Sequence, residues 1–182
     1  MKTSAIARQL RITTLVLSSA LLLVGCGSES TLTPQTGGLP GSPIYLPASE
    51  MSALLPLGTN AMTPSVEATV SASEGGTLKL GRMTLSFPPG ALAEDTRITM
   101  SLTDRKSLRV ELLPHGIHFQ KPVTLSADLN GLLSPTTRTV GVAWLNDQTG
   151  DWLPISTSAA SMPRASAQLQ HFSDYTVFTD AG

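Results

Sequence analysis

The chain has 182 residues, with 12 lysines and arginines against 13 aspartates and glutamates, and a formal net charge of −1. A net charge this close to zero gives no indication of the strongly basic face on which nucleic-acid binding depends. A single cysteine excludes both an intrachain disulfide and a thiolate metal cluster.

Residues 1–25 have the composition of a secretory signal. Positive charges at Lys2, Arg8 and Arg11 precede an apolar run over residues 12–24. That run is shorter than the roughly 20 residues that a membrane-spanning helix needs. We therefore expect an export signal that is removed, which leaves a mature protein with a net charge of about −4.

The signal ends in a motif that resembles a bacterial lipobox, formed by Leu23, Val24, Gly25 and Cys26. In such a motif the small residue before the cysteine admits the peptidase, and the cysteine sulfur carries a diacylglycerol. More than one acyl chain makes anchoring persistent, at about 0.8 kcal/mol per buried methylene. The sequence predicts an extracytoplasmic lipoprotein anchored through Cys26, and Gly27 favours the outer membrane over the inner. The alternative is a buried hydrophobic helix with a chance cysteine.

Residues 26–67 are rich in serine, threonine, proline and glycine, which predicts a lipidated N-terminus followed by a flexible linker. A free coil of this length reaches roughly 35 Å in root-mean-square terms. Residues 44–57 are more apolar than a spacer needs. We predict that they lean on their own domain, and the alternative is a peptide that docks on a partner. The domain itself is expected over residues 68–182.

The domain opens with a predicted hairpin, in which residues 77–80 and 83–87 are joined by Gly81 and Arg82. Alternating apolar residues then predict short half-buried strands. These candidates lie at residues 96–102, 108–112, 123–129, 140–145, 152–155, 165–169 and 175–178. Short, evenly spaced strands without an amphipathic helix predict an all-β fold, a single antiparallel β-sandwich.

Four short motifs occur in order between residues 68 and 180. They are Gly-Gly-Thr-Leu at residues 75–78, Leu-Ser-Phe-Pro-Pro-Gly-Ala-Leu at 85–92, Pro-His-Gly-Ile-His-Phe at 114–119 with Lys-Pro-Val at 121–123, and His-Phe-Ser-Asp-Tyr at 171–175. Together they resemble the ZU-type domain, named from zonula occludens proteins and Unc-type netrin receptors and also found in ankyrins and bacterial lipoproteins. The resemblance implies a compact β-sandwich used mainly as an interaction module, with no common small-molecule reaction.

The sharpest chemical hypothesis concerns His171, Phe172 and Ser173, because a His-Phe-Ser tripeptide is a self-cleavage site in some proteins that this domain resembles. The Ser173 hydroxyl would attack the carbonyl carbon of a strained Phe172–Ser173 peptide while His171 accepts the proton. The resulting N-to-O acyl shift gives an ester that water opens. The alternative is structural: His171 and Ser173 bond their own turn while Phe172 and Tyr175 fill the core.

Two other clusters suggest metal ligands, but neither has a complete set. His115 and His118 form a His-x-x-His pair without further nearby ligands. Asn146, Asp147 and Asp151 lack the longer series and the final bidentate glutamate of an EF-hand loop. We therefore expect a turn at each place, and no metal or other cofactor.

The predicted function is an interaction or scaffold module of the bacterial cell envelope, bound to a membrane through Cys26 and to an unidentified protein partner. No motif of a conventional enzyme is present. Self-cleavage at the Phe172–Ser173 peptide is the first alternative. A weaker alternative is carbohydrate binding, for which only Trp144, Trp152 and Tyr45 offer a stacking platform. Both tryptophans are expected to pack into the core, which would remove that platform.

Overall fold

A computed structural model describes residues 38–54, 63–104 and 106–180 of the chain. The lipobox residues, including Cys26, lie outside this part, so the predictions of a signal and a lipid anchor stay predictions. Within the described residues, no helix combines the length and the apolar character that crossing a membrane requires.

The described part contains eleven strands and one short helix. In chain order they are β1 (Ser42–Pro43), α1 (Ala48–Leu54), β2 (Ser65–Val70), β3 (Gly76–Leu80), β4 (Met83–Phe87), β5 (Thr96–Leu102), β6 (Arg109–Leu113), β7 (His118–Asp128), β8 (Thr139–Asn146), β9 (Asp151–Ala159), β10 (Arg164–His171) and β11 (Asp174–Thr179).

These strands form two antiparallel sheets. The seven-stranded sheet has the order β2-β5-β6-β11-β8-β9, and β1 also pairs with β11. The four-stranded sheet has the order β10-β7-β4-β3. The two sheets enclose one hydrophobic core, to which both contribute. The prediction of an all-β antiparallel sandwich is confirmed.

Period-two alternation explains how the core forms, because successive side chains of a strand point to opposite faces. Ile98, Met100 and Leu102 of β5 are buried, as are the alternate residues Val123 and Leu125 of β7. The predicted hairpin is confirmed as β3 and β4, whose connection uses a positive φ of 57° at Gly81. Glycine adopts such an angle without the strain that a Cβ would cause.

The N-terminal strap, residues 41–54, is part of the folded unit. Ile44 and Leu46 are only 4% and 9% exposed. Ile44 N donates to Val177 O, Ile44 O accepts from Leu108 N, and Leu46 N donates to Lys106 O. The described part of the apolar linker segment therefore leans on its own domain, as predicted.

The folded unit consequently begins earlier than the predicted residue 68. β2 starts at Ser65, and the strap starts earlier still. The reason is that Ile44 and Leu46 alternate with polar or exposed positions, a short strand-like pattern that the surrounding prolines and serines obscure. Average composition therefore suggested a linker where two side chains enter the core.

An ion pair holds α1 to the turn between β3 and β4. Glu50 accepts two hydrogen bonds of 2.6 Å from Arg82, one at each carboxylate oxygen. Arg82 Nη1 also donates to the carbonyl oxygens of Asp128 and Asn130. The hydrogen bonds from Arg82 hold the pKa of Glu50 below its usual range. Arg82 thus joins the strap, a hairpin turn and the end of β7.

Candidate functional site

The predicted reactive tripeptide lies where the chain crosses from one sheet to the other. β10, in the four-stranded sheet, ends at His171, and β11, in the seven-stranded sheet, begins at Asp174. Phe172 and Ser173 form the crossing. We call residues 171–175 the sheet-crossing corner.

Phe172 fills the core at this corner. It is 3% exposed, and its ring makes edge-to-face contacts with Phe119 at 4.9 Å and with Phe87 at 6.1 Å between ring centroids. Phe87 and Phe119 also meet edge to face, at 6.1 Å. Edge-to-face pairs of this kind add stability beyond the area that they bury.

The polar groups of His171 and Ser173 are engaged in separate bonds. Ser173 Oγ donates to Leu145 O at 3.1 Å, and Ser173 O accepts from Leu112 N. His171 Nδ1 lies 3.3 Å from Phe172 O. Between these two described residues no hydrogen bond joins the imidazole to the Ser173 hydroxyl. The imidazole therefore faces the carbonyl oxygen of the peptide and not the nucleophile that it would need to deprotonate.

Tyr175 closes the corner. Its hydroxyl donates to His171 O at 2.7 Å, across four residues, and burial raises the pKa of this hydroxyl. A similar bond from a strand-initial tyrosine to upstream backbone stabilises the corner of immunoglobulin-type sandwiches. Sequence reasoning placed Tyr175 in the core but missed this bond. The available signal was a tyrosine at the start of a predicted strand, six residues after the predicted end of the preceding strand at residue 169.

The Tyr175→Phe variant is expected to lose about 1–3 kcal/mol of unfolding free energy, because His171 O is left without its partner. Urea unfolding measures the loss. Tyr45→Phe is the matched control, since Tyr45 is 59% exposed. Equal stability of the two variants would contradict a structural role for the bond.

The two tryptophans occupy opposite faces of the β8–β9 hairpin. Trp144 pairs in register with Tyr175 and meets the His171 ring at 4.9 Å, against the core. Trp152 pairs with Leu145, the next residue of β8, so it lies on the outer face. There the Arg109 guanidinium stacks on it at 4.7 Å. The two rings therefore cannot form one stacking platform, and only Trp144 packs against the core as expected.

Acidic residues converge beside the sheet-crossing corner. Asp174 pairs in register with Glu111, whose carboxylate lies 3.9 Å from His115 Nε2. Burial raises the pKa of Asp174 above its usual value. Glu111 and Asp147 raise it further, whereas Arg109 and His115 lower it. Like charges directly opposite each other on adjacent strands are destabilising.

The Asp174→Asn variant is expected to raise the free energy of unfolding at pH 7. A raised folded pKa means that protonated Asp174 stabilises the fold below its unfolded pKa, and that this stability is lost as pH rises through the folded pKa. With partial solvent screening, we expect a gain of about 0.5 kcal/mol at pH 7 that disappears near pH 3. Unfolding at both pH values measures it, with exposed Glu74→Gln as control. A loss at pH 7, or a gain that persists at pH 3, would refute this electrostatic account.

The two suggested metal clusters form turns. His115 precedes Gly116, which has a φ of 79°, and His118 opens β7. The carbonyl and side-chain oxygens of Asn146 accept hydrogen bonds from the backbone of the β8–β9 turn. In the described ranges, no three histidine or acidic side chains stand close enough together to hold a metal ion.

Sequence reasoning missed an array of polar side chains on the outer face of the four-stranded sheet. Its rows follow the strand register: Arg164 beside Asp128, then Ser166, Ser126, Thr84 and Lys79, then Gln168, Thr124, Ser86 and Thr77. One end of the array is a groove of about 320 Å³, which we call the sheet-face groove. These outward positions looked like ordinary solvated strand residues, because only the register brings them together.

Comparison with known proteins assigns no family to the chain. No family model matches it, and no curated protein matches it.

Proposed function

We propose that this chain is a lipid-anchored interaction module of the bacterial cell envelope, held at a membrane by lipid on Cys26. The proposal of an anchor draws on the positive segment, the apolar run and the lipobox-like residues 23–26. The proposal of an interaction module draws on the ZU-type resemblance, which favours binding over catalysis.

The observation that carries the binding role is the open outer face of the four-stranded sheet. Rows of hydroxyl, amide and charged side chains stand there in register, and a groove lies among them. In contrast, the hydroxyl groups nearest to the predicted reactive peptide already donate hydrogen bonds within the protein. Ser173 and Tyr175 each donate to a backbone carbonyl oxygen. Polar side chains aligned on an open sheet face can hydrogen-bond a partner, as those of typical protein interfaces do.

The strap changes the expected reach of the anchor. Because residues 41–54 belong to the folded unit, only residues 27–40 are left to connect Cys26 to it. If these residues formed a free coil, they would reach roughly 20 Å, from about 5–6 Å times the square root of the residue number. The domain would therefore work closer to the headgroups than a linker ending at residue 67 would allow.

Fractionation of a bacterium that expresses the full-length chain tests the anchor. We expect the protein in the outer-membrane fraction, resistant to high salt and carbonate and released by detergent. The Cys26→Ser protein should either be absent from this fraction or retain its uncleaved signal, residues 1–25. The neighbouring Ser28→Ala variant should behave like wild type. Membrane retention of a processed Cys26→Ser protein would overturn the proposal.

A further inference from the structure

The sheet-face groove concentrates positive charge in a domain that is acidic overall. The described residues contain eight lysines and arginines against twelve aspartates and glutamates. Three of the eight cations, Lys79, Arg82 and Arg164, line this one groove. Such convergence on one surface of an acidic domain creates a local potential that attracts anions.

Two of these cations, Lys79 and Arg164, form no ion pair within the described residues, although Arg164 faces Asp128 in register and its charge helps to lower the pKa of that carboxylate. Arg82 is committed to Glu50 and to two backbone carbonyls. Neither the Lys79 nor the Arg164 side chain has a carboxylate within 4.0 Å among the described residues, in contrast to Arg82 and to Arg97, which pairs with Glu67. An unpaired guanidinium can hold a carboxylate or phosphate through two parallel hydrogen bonds.

The strand order places Lys79 and Arg164 on opposite edges of the sheet, with the hydroxyl side chains of the two central strands between them. Lys79 lies on the edge strand β3 and Arg164 on the edge strand β10. Between them, Thr84 of β4 and Ser126 of β7 face each other in register. Long basic side chains on the two edges therefore flank a strip of hydroxyl groups two strands wide.

The end of the groove offers acceptors as well as donors. Asp128 pairs in register with Arg164 and accepts hydrogen bonds from Asn130 N and Nδ2. The backbone bond from Asn130 is the main reason that the pKa of Asp128 lies below its usual value. A fixed carboxylate repels a bare anion, but it accepts hydrogen bonds from the hydroxyls of a sugar.

We propose that the sheet-face groove binds an acidic sugar unit, with its carboxylate or phosphate between Lys79 and Arg164 and its hydroxyls toward Ser126, Thr84 and Asp128. This inference rests on the proposed binding role and gives it a ligand class, an anionic glycan. It differs from recognition by aromatic stacking, because the groove lining contains no aromatic residue.

Binding of full-length, detergent-solubilised protein to immobilised polygalacturonate at about 150 mM salt tests the inference. The matched neutral probe is the fully methyl-esterified polymer. We expect binding to the acid polymer, and at least about tenfold weaker binding to the ester, because the ester cannot form charge-assisted hydrogen bonds as an anion. Equal binding to both polymers, or no binding to either, would overturn the proposal.

Three variants locate the site. Lys79→Gln with Arg164→Gln should weaken polygalacturonate binding about tenfold or more, and Asp128→Ala should also weaken it. Arg97→Gln removes one exposed charge from the outer face of the opposite sheet and should change binding less than about threefold. Stronger binding by Asp128→Ala would indicate a bare-anion site and refute the sugar, because removing the carboxylate should cost a sugar the hydrogen bonds from its hydroxyls. An equal loss in Arg97→Gln would indicate non-specific attraction.

The experiments distinguish a failure of the lipid-anchor proposal from a failure of the glycan proposal. If the protein fractionates with the membrane through Cys26 but does not bind polygalacturonate, the anchored module stands and this ligand is rejected. Thermal unfolding of each variant must match wild type within a few degrees, so that a loss of binding reports on the groove itself.

Discussion

A chain shortened to begin at Ala68 is expected to be largely unfolded, whereas a chain beginning at Gly38 should fold cooperatively. The shortening removes Ile44 and Leu46 from the core, and burial of each contributes about 1.5–3 kcal/mol. It also removes β1, the first half of β2 and the Glu50–Arg82 pair. The combined loss of about 5 kcal/mol or more is comparable with the whole stability of a small domain. Urea unfolding followed by tryptophan fluorescence measures it.

Point variants in the longer chain distinguish the stability that comes from the strap's core contacts from any effect of shortening the chain. Ile44→Ala should cost about 2–4 kcal/mol, as other large-to-small core substitutions do. Tyr45→Ala, at the neighbouring exposed position, should change stability by less than about 0.5 kcal/mol. If the chain beginning at Ala68 were as stable as the one beginning at Gly38, the strap would not belong to the fold.

Phe172→Ala is expected to destabilise the domain by about 3–5 kcal/mol, because it leaves a cavity between Phe87 and Phe119. The loss should appear in the same urea unfolding experiment. The effect is large because the corner joins the two sheets, so the cavity opens where the layers meet.

Phe172→Leu is the matched control. It keeps most of the buried volume and should lose less than about 1.5 kcal/mol. A small, equal loss in both variants would mean that the aromatic cluster does not hold the corner, and it would reopen the question of what Phe172 does beside Ser173.

The local pattern of apolar residues and glycines predicted those strands and turns whose formation depends on residues close together in the sequence. The β3–β4 hairpin follows from β-rich runs on either side of Gly81, and the inward faces of β5 and β7 follow from strict alternation. In these elements a few adjacent residues decide both the conformation and the buried face, so composition and spacing are sufficient.

Contacts between distant residues could not be predicted in the same way. Glu50 and Arg82 are 32 residues apart, and β1 pairs with a strand more than 130 residues later. Nothing in the local sequence of Ser42–Pro43 indicates which strand it will join. The sheet-face groove has the same origin, since Lys79 and Arg164 become neighbours of one surface only through the order of four strands.

The sequence placed the residues of the candidate reactive site together, but it did not predict their hydrogen-bond partners, and self-cleavage there stays a prediction. His171, Phe172 and Ser173 lie together, as they must. However, the partner of the Ser173 hydroxyl is Leu145 O, on a strand that sequence reasoning could not place beside it. Hydrogen-bond direction at such a corner depends on backbone from other strands, which one tripeptide does not encode.

The intact mass of the full-length protein, extracted from a bacterial membrane fraction under denaturing conditions, tests the central claim most directly. We expect one species that comprises residues 26–182 with acyl groups on Cys26, and the same species in Ser173→Ala. An unlipidated chain that retains residues 1–25 would contradict the anchored module. A lipidated fragment ending at Phe172, restored to full length by Ser173→Ala, would instead make the sheet-crossing corner a self-cleaving site.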